Sequence, residues 1–340
     1  MARCIRWDAL CVKSPVALAA AAAVIAALSV VLATLATSCD DGPAPGATDG
    51  SAPLDASSDA ALDADLDAAP DLDASPEAAA PQAVTCPPDM VRVLDRYCVD
   101  RFEISLIDAD SELPLSPYYP PLPSFDRYLK EREAEGARLF VPSPENQDLA
   151  GFPSLPAWQR RGRSKPKAVS QKGVTPNAYL MMQWARDACI AAGKRLCSIE
   201  EWQTACRGEQ NRQFPYGDEY KQGACNVFRE DHPGRVLFGK VSVGMLDPRM
   251  NKVAPKGKPL LRKTGATPAC KSVWGDDAIY DMVGNLDEWI DDPEGTFAGG
   301  FYSRTAKNGC EKTTVSHTAT YFDYSTGGRC CADVREVATP

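Results

Sequence analysis

The hydrophobic pattern divides the chain into three stretches of different character. Residues 16–36 are mostly Ala, Val, Leu and Ile with no ionisable side chain, and a helix of that length can cross a bilayer. Residues 40–85 show no apolar periodicity, whereas residues 86–340 alternate short apolar runs with Gly, Pro and Asn. The pattern predicts a membrane-directed segment (1–39), a linker (40–85) and one globular domain (86–340).

The first segment has the layout of an export signal, with three basic residues and one acid ahead of the apolar run. Ala36-Thr-Ser-Cys39 resembles a lipoprotein cleavage box, which would make Cys39 the lipidated N-terminus. Because the apolar run is longer than an ordinary secretory one, an uncleaved signal anchor and simple secretory cleavage are the alternatives. Each of the three predicts an exported domain, periplasmic or at the cell surface, and the first two attach it to a membrane.

The linker is strongly acidic. It holds eleven acidic residues from Asp40 to Glu77 and no Lys, Arg or aromatic residue, so it lacks an apolar face that could offset the entropy of ordering. The chain carries −9 overall, of which the N-terminal segment contributes +2 and the linker −11, so residues 86–340 sum to zero. We therefore expect a disordered spacer, a domain that does not bind nucleic acid, and a monomer.

Cysteine usage also indicates export. Ten cysteines fall in the domain, an even number that in an exported chain predicts a disulfide framework. Zinc is disfavoured because there is no C-x-x-C pair and the only histidines are His232 and His317. A free or redox-active pair is the alternative. The ten are Cys86, Cys98, Cys189, Cys197, Cys206, Cys225, Cys270, Cys310, Cys330 and Cys331.

Two helices are predicted in the middle of the domain. The first begins at Thr175-Pro176, a capping residue followed by proline at the first helical position, and ends at Gly193. The second begins with the capping box Ser198-Ile-Glu-Glu201 and ends at Gly208. Beyond Gly208 regular helix signals disappear.

The rest of the domain predicts a loop-rich α+β fold. Short β-rich runs on either side of Asp95-Arg96 indicate a hairpin, which a bond between Cys86 and Cys98 would staple. Residues 106–172 are rich in Pro, Ser and charge, with one short helix expected near 125–140.

Several segments occur in the order that is found in one enzyme family. They are Tyr97-Cys-Val-Asp-Arg-Phe-Glu-Ile-Ser105, Gly193-Lys-Arg-Leu-Cys-Ser-Ile-Glu-Glu-Trp202, Phe214-Pro-Tyr-Gly-Asp218, Cys225-Asn226, Tyr280-Asp-Met-Val-Gly-Asn-Leu-Asp-Glu-Trp289, Gly299-Gly300 and Gly327-Gly-Arg-Cys330. This ordered set resembles the formylglycine-generating enzyme, or sulfatase-modifying factor, family over about residues 86–332. The resemblance implies a single irregular C-type-lectin-like α+β domain.

The resemblance also implies a structural calcium site. The family's calcium turn corresponds to Asp281-Met-Val-Gly-Asn-Leu-Asp-Glu-Trp289, and calcium takes oxygen ligands from carboxylates and carbonyls. A turn in which Asn285 and Glu288 cap backbone amides without metal is the alternative. The implied ligands are Asp281, Gly284, Leu286 and Glu288.

The family's copper chemistry does not carry over. Its enzymes oxidise a substrate cysteine with copper held by two thiolates, which suit Cu(I), in a Gly-Gly-Ser-x-x-Cys-x-x-x-x-Cys pattern. Here Phe301, Arg304 and Gly309 stand at the serine and the two cysteines, and Cys310 is one place late. Copper is therefore not expected, and Cys310 is only a weak catalytic candidate.

The resemblance further implies that Cys310 is part of a structural disulfide. It pairs Cys189 with Cys330 and Cys206 with Cys310, and the leftover cysteines combine most simply as Cys225 with Cys270 and Cys197 with Cys331.

The chain end holds a candidate binding surface. Aromatic rings beside Arg, His and Asp suit a peptide or glycan, although packing of the core and its rim is an equal alternative. A Ser-His-Asp triad is not indicated because no Gly-x-Ser-x-Gly elbow exists. We expect a binding scaffold for an unknown peptide, protein or glycan, with a formylglycine-generating-type oxidoreductase as the rival. The surface residues are Tyr302, Arg304, His317, Tyr321, Asp323 and Tyr324.

Overall fold

A computed structural model describes residues 84–336. The predicted anchor, the acidic linker up to residue 83 and the lipidation site Cys39 lie outside the described residues. The helices are α1 (Asp126–Leu139), α2 (Ala157–Arg160), α3 (Met182–Ala191), α4 (Ile199–Arg207) and α5 (Pro233–Phe238). The strands are β1 (Val84–Thr85), β2 (Met90–Val93), β3 (Tyr97–Asp100), β4 (Ile104–Asp108), β5 (Pro166–Ser170), β6 (Arg195–Leu196), β7 (Lys271–Trp274), β8 (Asp277–Tyr280), β9 (Asp287–Trp289), β10 (Phe297–Ala298), β11 (Thr313–Thr314), β12 (Thr326–Gly328), β13 (Cys330–Asp333) and β14 (Arg335–Glu336).

Short strands from distant parts of the domain pair with each other. One four-stranded sheet has the order β2-β3-β13-β6, with all neighbours antiparallel. A second has the order β11-β10-β9-β12, in which β12 runs parallel to β9. The strands β1 and β14, β4 and β5, and β7 and β8 form separate pairs. The mixed, loop-rich α+β class predicted from the sequence is confirmed.

The hairpin predicted near the start of the domain is present. Strand β2 pairs with β3, and Leu94 and Asp95 between them have φ values of 52° and 55°. The bond between Cys86 and Cys98 staples the hairpin to the preceding segment.

Helix α4 follows its sequence signals closely. The Ser198 hydroxyl accepts from the Glu201 amide at 3.2 Å, the Glu201 carboxylate accepts from the Ser198 amide at 2.9 Å, and Gly208 ends the helix at φ 68°. Helix α3 ends as predicted, just before Gly193, but begins at Met182 rather than at Thr175-Pro176.

The predicted start of α3 is wrong because tertiary contacts use the backbone of the intervening segment. The amide of Tyr179 donates to the Asp323 carbonyl at 3.0 Å, and the amide of Leu180 donates to the Thr326 carbonyl at 3.1 Å. Tyr179 also has a φ of 60°, which a helix does not allow. A cap signal of about 1 kcal/mol does not outweigh these long-range pairings.

Several elements were not predicted from the sequence pattern, among them strand β5 and helix α5. Strand β5, inside the stretch expected to be loops, pairs with β4 over five residues. Helix α5, beyond Gly208, begins at Pro233 because the Nδ1 atom of His232 accepts from the Gly234 amide at 3.1 Å. Histidine is not a residue that cap rules single out, so the sequence pattern did not indicate a helix start at His232.

The core of the described residues consists of several hydrophobic clusters, and disulfides join its elements. Trp202 of α4 and Trp289 of β9 are fully buried and belong to two different clusters. The five bonds are Cys86–Cys98, Cys189–Cys330, Cys197–Cys331, Cys206–Cys310 and Cys225–Cys270. Cys189–Cys330 and Cys206–Cys310 are the pairs that the family resemblance implied, and the other three match the simplest combination of the remaining cysteines and the expected hairpin staple. Such a framework is typical of an oxidising, extracytoplasmic compartment.

Within residues 84–336, no helix has both the length and the apolar character that crossing a bilayer requires.

Candidate functional site

The turn that leads into β9 surrounds a buried ion pair. The Glu288 carboxylate accepts from Arg329 at 2.7 and 2.9 Å and from the Trp202 indole at 2.7 Å. Arg329 also donates to the carbonyls of Asp100 and Tyr280, each at 2.8 Å. Five protein hydrogen bonds therefore hold this pair, and both its side chains are essentially unexposed.

Two further carboxylates lie beside the pair. Asp281 Oδ2 accepts from the Gly265 amide at 2.6 Å, and Glu103 accepts from Asn285 Nδ2 at 2.6 Å and from the Leu286 amide at 3.1 Å. Burial raises the pKa of Glu103 well above its usual range, and the charge of Asp281 adds to that effect. Burial likewise raises the pKa of Asp281 to about 6.

Two of the four calcium ligands implied by the resemblance, Asp281 and Glu288, have protein hydrogen-bond partners in this arrangement. Both Glu288 oxygens face Arg329, and Asp281 is engaged by Gly265. Gly284 has a φ of 86° and packs closely on Asn226. A Cβ added to Gly284 would lie 2.3 Å from the backbone carbonyl oxygen of Asn226. Among the described residues no group of three or more His, Cys, Asp or Glu could hold a metal. Calcium binding stays a prediction that requires Arg329 to release Glu288.

The segment after β10 contains the positions at which the family carries its redox cysteines. Cys310 is buried and bonded to Cys206 of α4 with an S–S distance of 2.02 Å. Gly309 has a φ of 55°, and a Cβ on it would lie 2.2 Å from the Gln213 carbonyl oxygen. A cysteine would therefore be strained at this position.

Arg304, at the other redox position, is bound to the protein. Its Nη1 atom donates to Thr314 Oγ1 at 2.7 Å and to Asp287 Oδ1 at 3.3 Å. Its guanidinium carbon lies 5.1 Å from the centre of the Phe301 ring, within cation–π range. About a quarter of the side chain is exposed, so Arg304 covers Asp287 and still reaches solvent.

Asp287, the carboxylate that pairs with Arg304, has an unusual environment. It is completely buried, and its Oδ2 atom has no hydrogen-bond partner among the described residues. Burial raises its pKa to about 7; Arg304 opposes that rise, and Asp323 adds to it. Sequence reasoning missed Asp287 as a site residue because the family turn gives this position no role.

A stack of aromatic rings runs from the protein surface into the core. The rings of His317 and Tyr321 are stacked, with centroids 3.9 Å apart, and both are partly exposed. Phe297 lies 5.5 Å from His317 and 4.1 Å from Trp289. The Tyr321 hydroxyl donates to Asp323 Oδ2 at 2.5 Å, which orients the Tyr321 ring against which His317 stacks.

Three of the six predicted surface residues are buried. Tyr302, Asp323 and Tyr324 are exposed by 0%, 2% and 1%. The Tyr302 hydroxyl donates to Asn251 at 3.0 Å, and the Tyr324 hydroxyl lies 2.9 Å from His232 Nε2. The surface role predicted for Tyr302 and Tyr324 is therefore wrong, because their hydroxyls are satisfied inside the core. Asp323 contributes from beneath the surface.

The structure brings the remaining candidates together. We define the Arg304 face as the partly exposed side chains of Arg304, Thr314, His317 and Tyr321, with Asp287 and Asp323 beneath them. It combines one cation, stacked rings and hydroxyl groups. Such a set can contact sugar rings, aromatic side chains and carboxylates.

Comparison with known proteins identifies the family. The model of the sulfatase-modifying factor enzyme 1-like domain matches residues 123–332, which is more than half of the 340 residues. The chain therefore belongs to this family, as its motifs predicted.

Among solved structures, the chain is similar to the Major Tropism Determinant I1 variant at 13% identity and a TM-score of 0.37, covering 75% of this chain and 55% of that one. It is also similar to CarF at 13% identity and a TM-score of 0.33, covering 70% of this chain and 87% of that one. No protein of curated function matches the chain.

Proposed function

We propose that this chain is an exported, membrane-anchored binding protein whose sulfatase-modifying-factor-type domain takes a peptide or glycan ligand and does not carry out copper-dependent cysteine oxidation. The observation that carries the proposal is the bond between Cys206 and Cys310, together with the pairing of Arg304 with Asp287. The segment that would hold two thiolates holds an oxidised sulfur and a guanidinium instead.

The chemistry of these groups supports the absence of the oxidase reaction. Cu(I) needs thiolate sulfur, and a disulfide sulfur is not a thiolate. By the family resemblance, Arg304 puts a positive charge at the sequence position of the first copper-binding cysteine. The other cysteines of residues 84–336 are also paired in disulfides.

The geometry of the Arg304 face supports ligand binding. His317 and Tyr321 present a rigid double ring whose positions are fixed by Phe297 and Asp323. Rigid aromatic surfaces lose little conformational entropy on binding. Arg304 beside them supplies donors for a carboxylate, a carbonyl or a sugar hydroxyl.

The charged and apolar layout of residues 1–39 supports export and anchoring, and the disulfide framework is compatible with it. Anchoring through Cys39 is tested by metabolic labelling with a lipid precursor. Label should be incorporated into the wild-type chain and not into Cys39→Ala.

The proposed absence of copper-dependent cysteine oxidation is tested on the full-length chain in detergent. The chain is loaded with copper and incubated with oxygen and a cysteine-containing peptide, and the peptide's cysteine is followed by mass spectrometry. We expect no aldehyde product. Turnover that depends on copper would favour the rival, a formylglycine-generating-type oxidoreductase.

Ligand binding is tested by measuring how two variants bind to immobilised collections of peptides and glycans. His317→Ala/Tyr321→Ala should weaken binding of any captured ligand by about tenfold or more, since aromatic contacts contribute on the order of 1 kcal/mol each. Val315→Ala is the matched control, because Val315 is 73% exposed in the same loop and has no ring. Equal binding by both variants would contradict the assignment of this face.

A further inference from the structure

A second cleft on the domain concentrates positive charge. It has a volume of about 790 Å³, and its polar lining includes Arg229, Lys252, Lys258, Arg262 and Lys263, with the single acid Asp148. Residues 86–340 carry no net charge, so five cations against one carboxylate is a local excess. We call these six side chains the cationic cleft.

The cations of the cleft are not neutralised by the described residues. Within residues 84–336, none of the five lies in an ion pair with a carboxylate. Other exposed cations of the domain do have such partners, as Lys165 has in Asp110 at 2.9 Å. The cleft therefore keeps its charge available for a ligand.

Arg262 is the most constrained of these side chains. It is about half buried, its amide donates to Asn285 Oδ1 at 2.9 Å, and its Nη1 atom donates to Thr267 Oγ1 at 3.0 Å. Burial, together with the like charge of Arg229, lowers the pKa of Arg262, and the charge of Asp281 partly opposes that shift. Two neighbouring guanidinium groups, neither of which forms a direct ion pair with a carboxylate of residues 84–336, favour a bound anion.

The other walls of the cleft are partly apolar. Tyr118, Leu149, Pro259 and Leu261 contribute to the lining, and the Lys252 ammonium lies 5.2 Å from the centre of the Tyr118 ring. A volume in the range of small-molecule sites, with apolar walls and several cations, exceeds what a single inorganic anion needs.

We propose that the cationic cleft binds a small polyanionic ligand that carries sulfate or phosphate ester groups. Guanidinium groups match such tetrahedral oxyanions with paired hydrogen bonds, and lysines add point charges around them. The cleft shares no lining residue with the Arg304 face, so this inference goes beyond the proposed function and can fail independently of it.

The test uses the full-length chain and two polyanions of similar size. Sucrose octasulfate represents sulfate esters and inositol hexakisphosphate represents phosphate esters, with sucrose and inositol as uncharged controls. Binding is measured by isothermal titration calorimetry at low and physiological salt. We expect saturable binding of one polyanion or both, weaker at higher salt, and the stronger ligand identifies the ester class.

Three variants locate the binding site. Arg262→Gln and Lys252→Ala/Lys258→Ala should each weaken binding by about tenfold or more, whereas Lys271→Ala, which removes an exposed charge outside the cleft, should change it by less than about twofold. If Arg262→Gln does not fold, the variant Lys252→Ala/Lys258→Ala, which changes two exposed lysines, is sufficient to locate the site.

The proposal is overturned if neither polyanion binds saturably at millimolar concentration, or if Lys271→Ala weakens binding as much as the cleft variants do. His317→Ala/Tyr321→Ala should leave polyanion binding unchanged, which separates this result from the fate of the proposed function.

Discussion

The Glu288 carboxylate and the Arg329 guanidinium form a two-point ion pair in which neither side chain is exposed by more than 1%. It joins β9 to the segment between β12 and β13, and the Trp202 indole closes it from the side of α4. The pair therefore connects the elements that carry the Arg304 face to the rest of the core.

Removing one partner of this pair should destabilise the domain strongly. Arg329→Met should lower the free energy of unfolding by about 3–5 kcal/mol, because a buried carboxylate would lose its counter-ion. The measurement is urea denaturation under non-reducing conditions. Arg186→Met, which breaks the more exposed pair with Asp291, is the control and should cost at most about 1 kcal/mol. Equal losses would show that Glu288 does not depend on Arg329.

The pH dependence of stability should reflect Asp100. Burial raises the pKa of this side chain to about 6 even though Lys194 Nζ lies 2.6 Å from its Oδ1 atom. The folded state therefore binds the proton more tightly than the unfolded state, whose pKa is near 3.8. Protonated Asp100 therefore contributes fully to the free energy of unfolding below about pH 4, and this contribution is lost as the pH rises from about 4 to about 6.

Asp100→Asn isolates this contribution. The variant should lack the part of the pH 4 to pH 6 decline that belongs to Asp100, on the order of 2–3 kcal/mol, in urea denaturation at each pH. Asp95→Asn, an exposed position, is the control. A decline of the same size in Asp100→Asn and in the wild type would contradict this assignment.

Calcium should affect stability only if it displaces Arg329 from Glu288. The geometry favours no displacement, so adding calcium to metal-free protein should move the melting temperature by less than about 1 °C. A saturable rise that disappears in Glu288→Gln would instead support the calcium site implied by the family turn.

Loss of the bond between Cys206 and Cys310 should be costly but not fatal. Cys206→Ala/Cys310→Ala should reduce the free energy of unfolding by about 2–4 kcal/mol. The neighbouring bond between Cys197 and Cys331 still closes a similar loop, which limits the loss. Near-UV circular dichroism should remain native-like, and collapse of that signal would show that the bond is required for folding.

The sequence was sufficient where a signal is local or where a whole motif set is present. The capping box at Ser198 and Glu201 acts within one turn, so α4 was predicted with the correct ends. The ordered family motifs were sufficient to predict the fold class. The same local reasoning placed the start of α3 too early, because the partners of the Tyr179 amide lie far along the chain.

The candidate site was predicted less completely than the fold. Aromatic and charged residues near the chain end indicated the right segment, but the pattern could not show that Tyr302 and Tyr324 point inward while His317 and Tyr321 stay at the surface. Asp287 has no sequence signal of its own, because its burial results from long-range pairing of β9 between β10 and β12.

The redox state of Cys310 decides whether this domain offers a thiol that could hold copper. The full-length chain is alkylated without reduction, digested, and mapped by mass spectrometry so that each cysteine is assigned separately, before and after incubation with Cu(I). Cys310 should be unmodified, linked to Cys206 and unaffected by copper. Alkylated Cys310, or copper retained through its sulfur, would contradict the account.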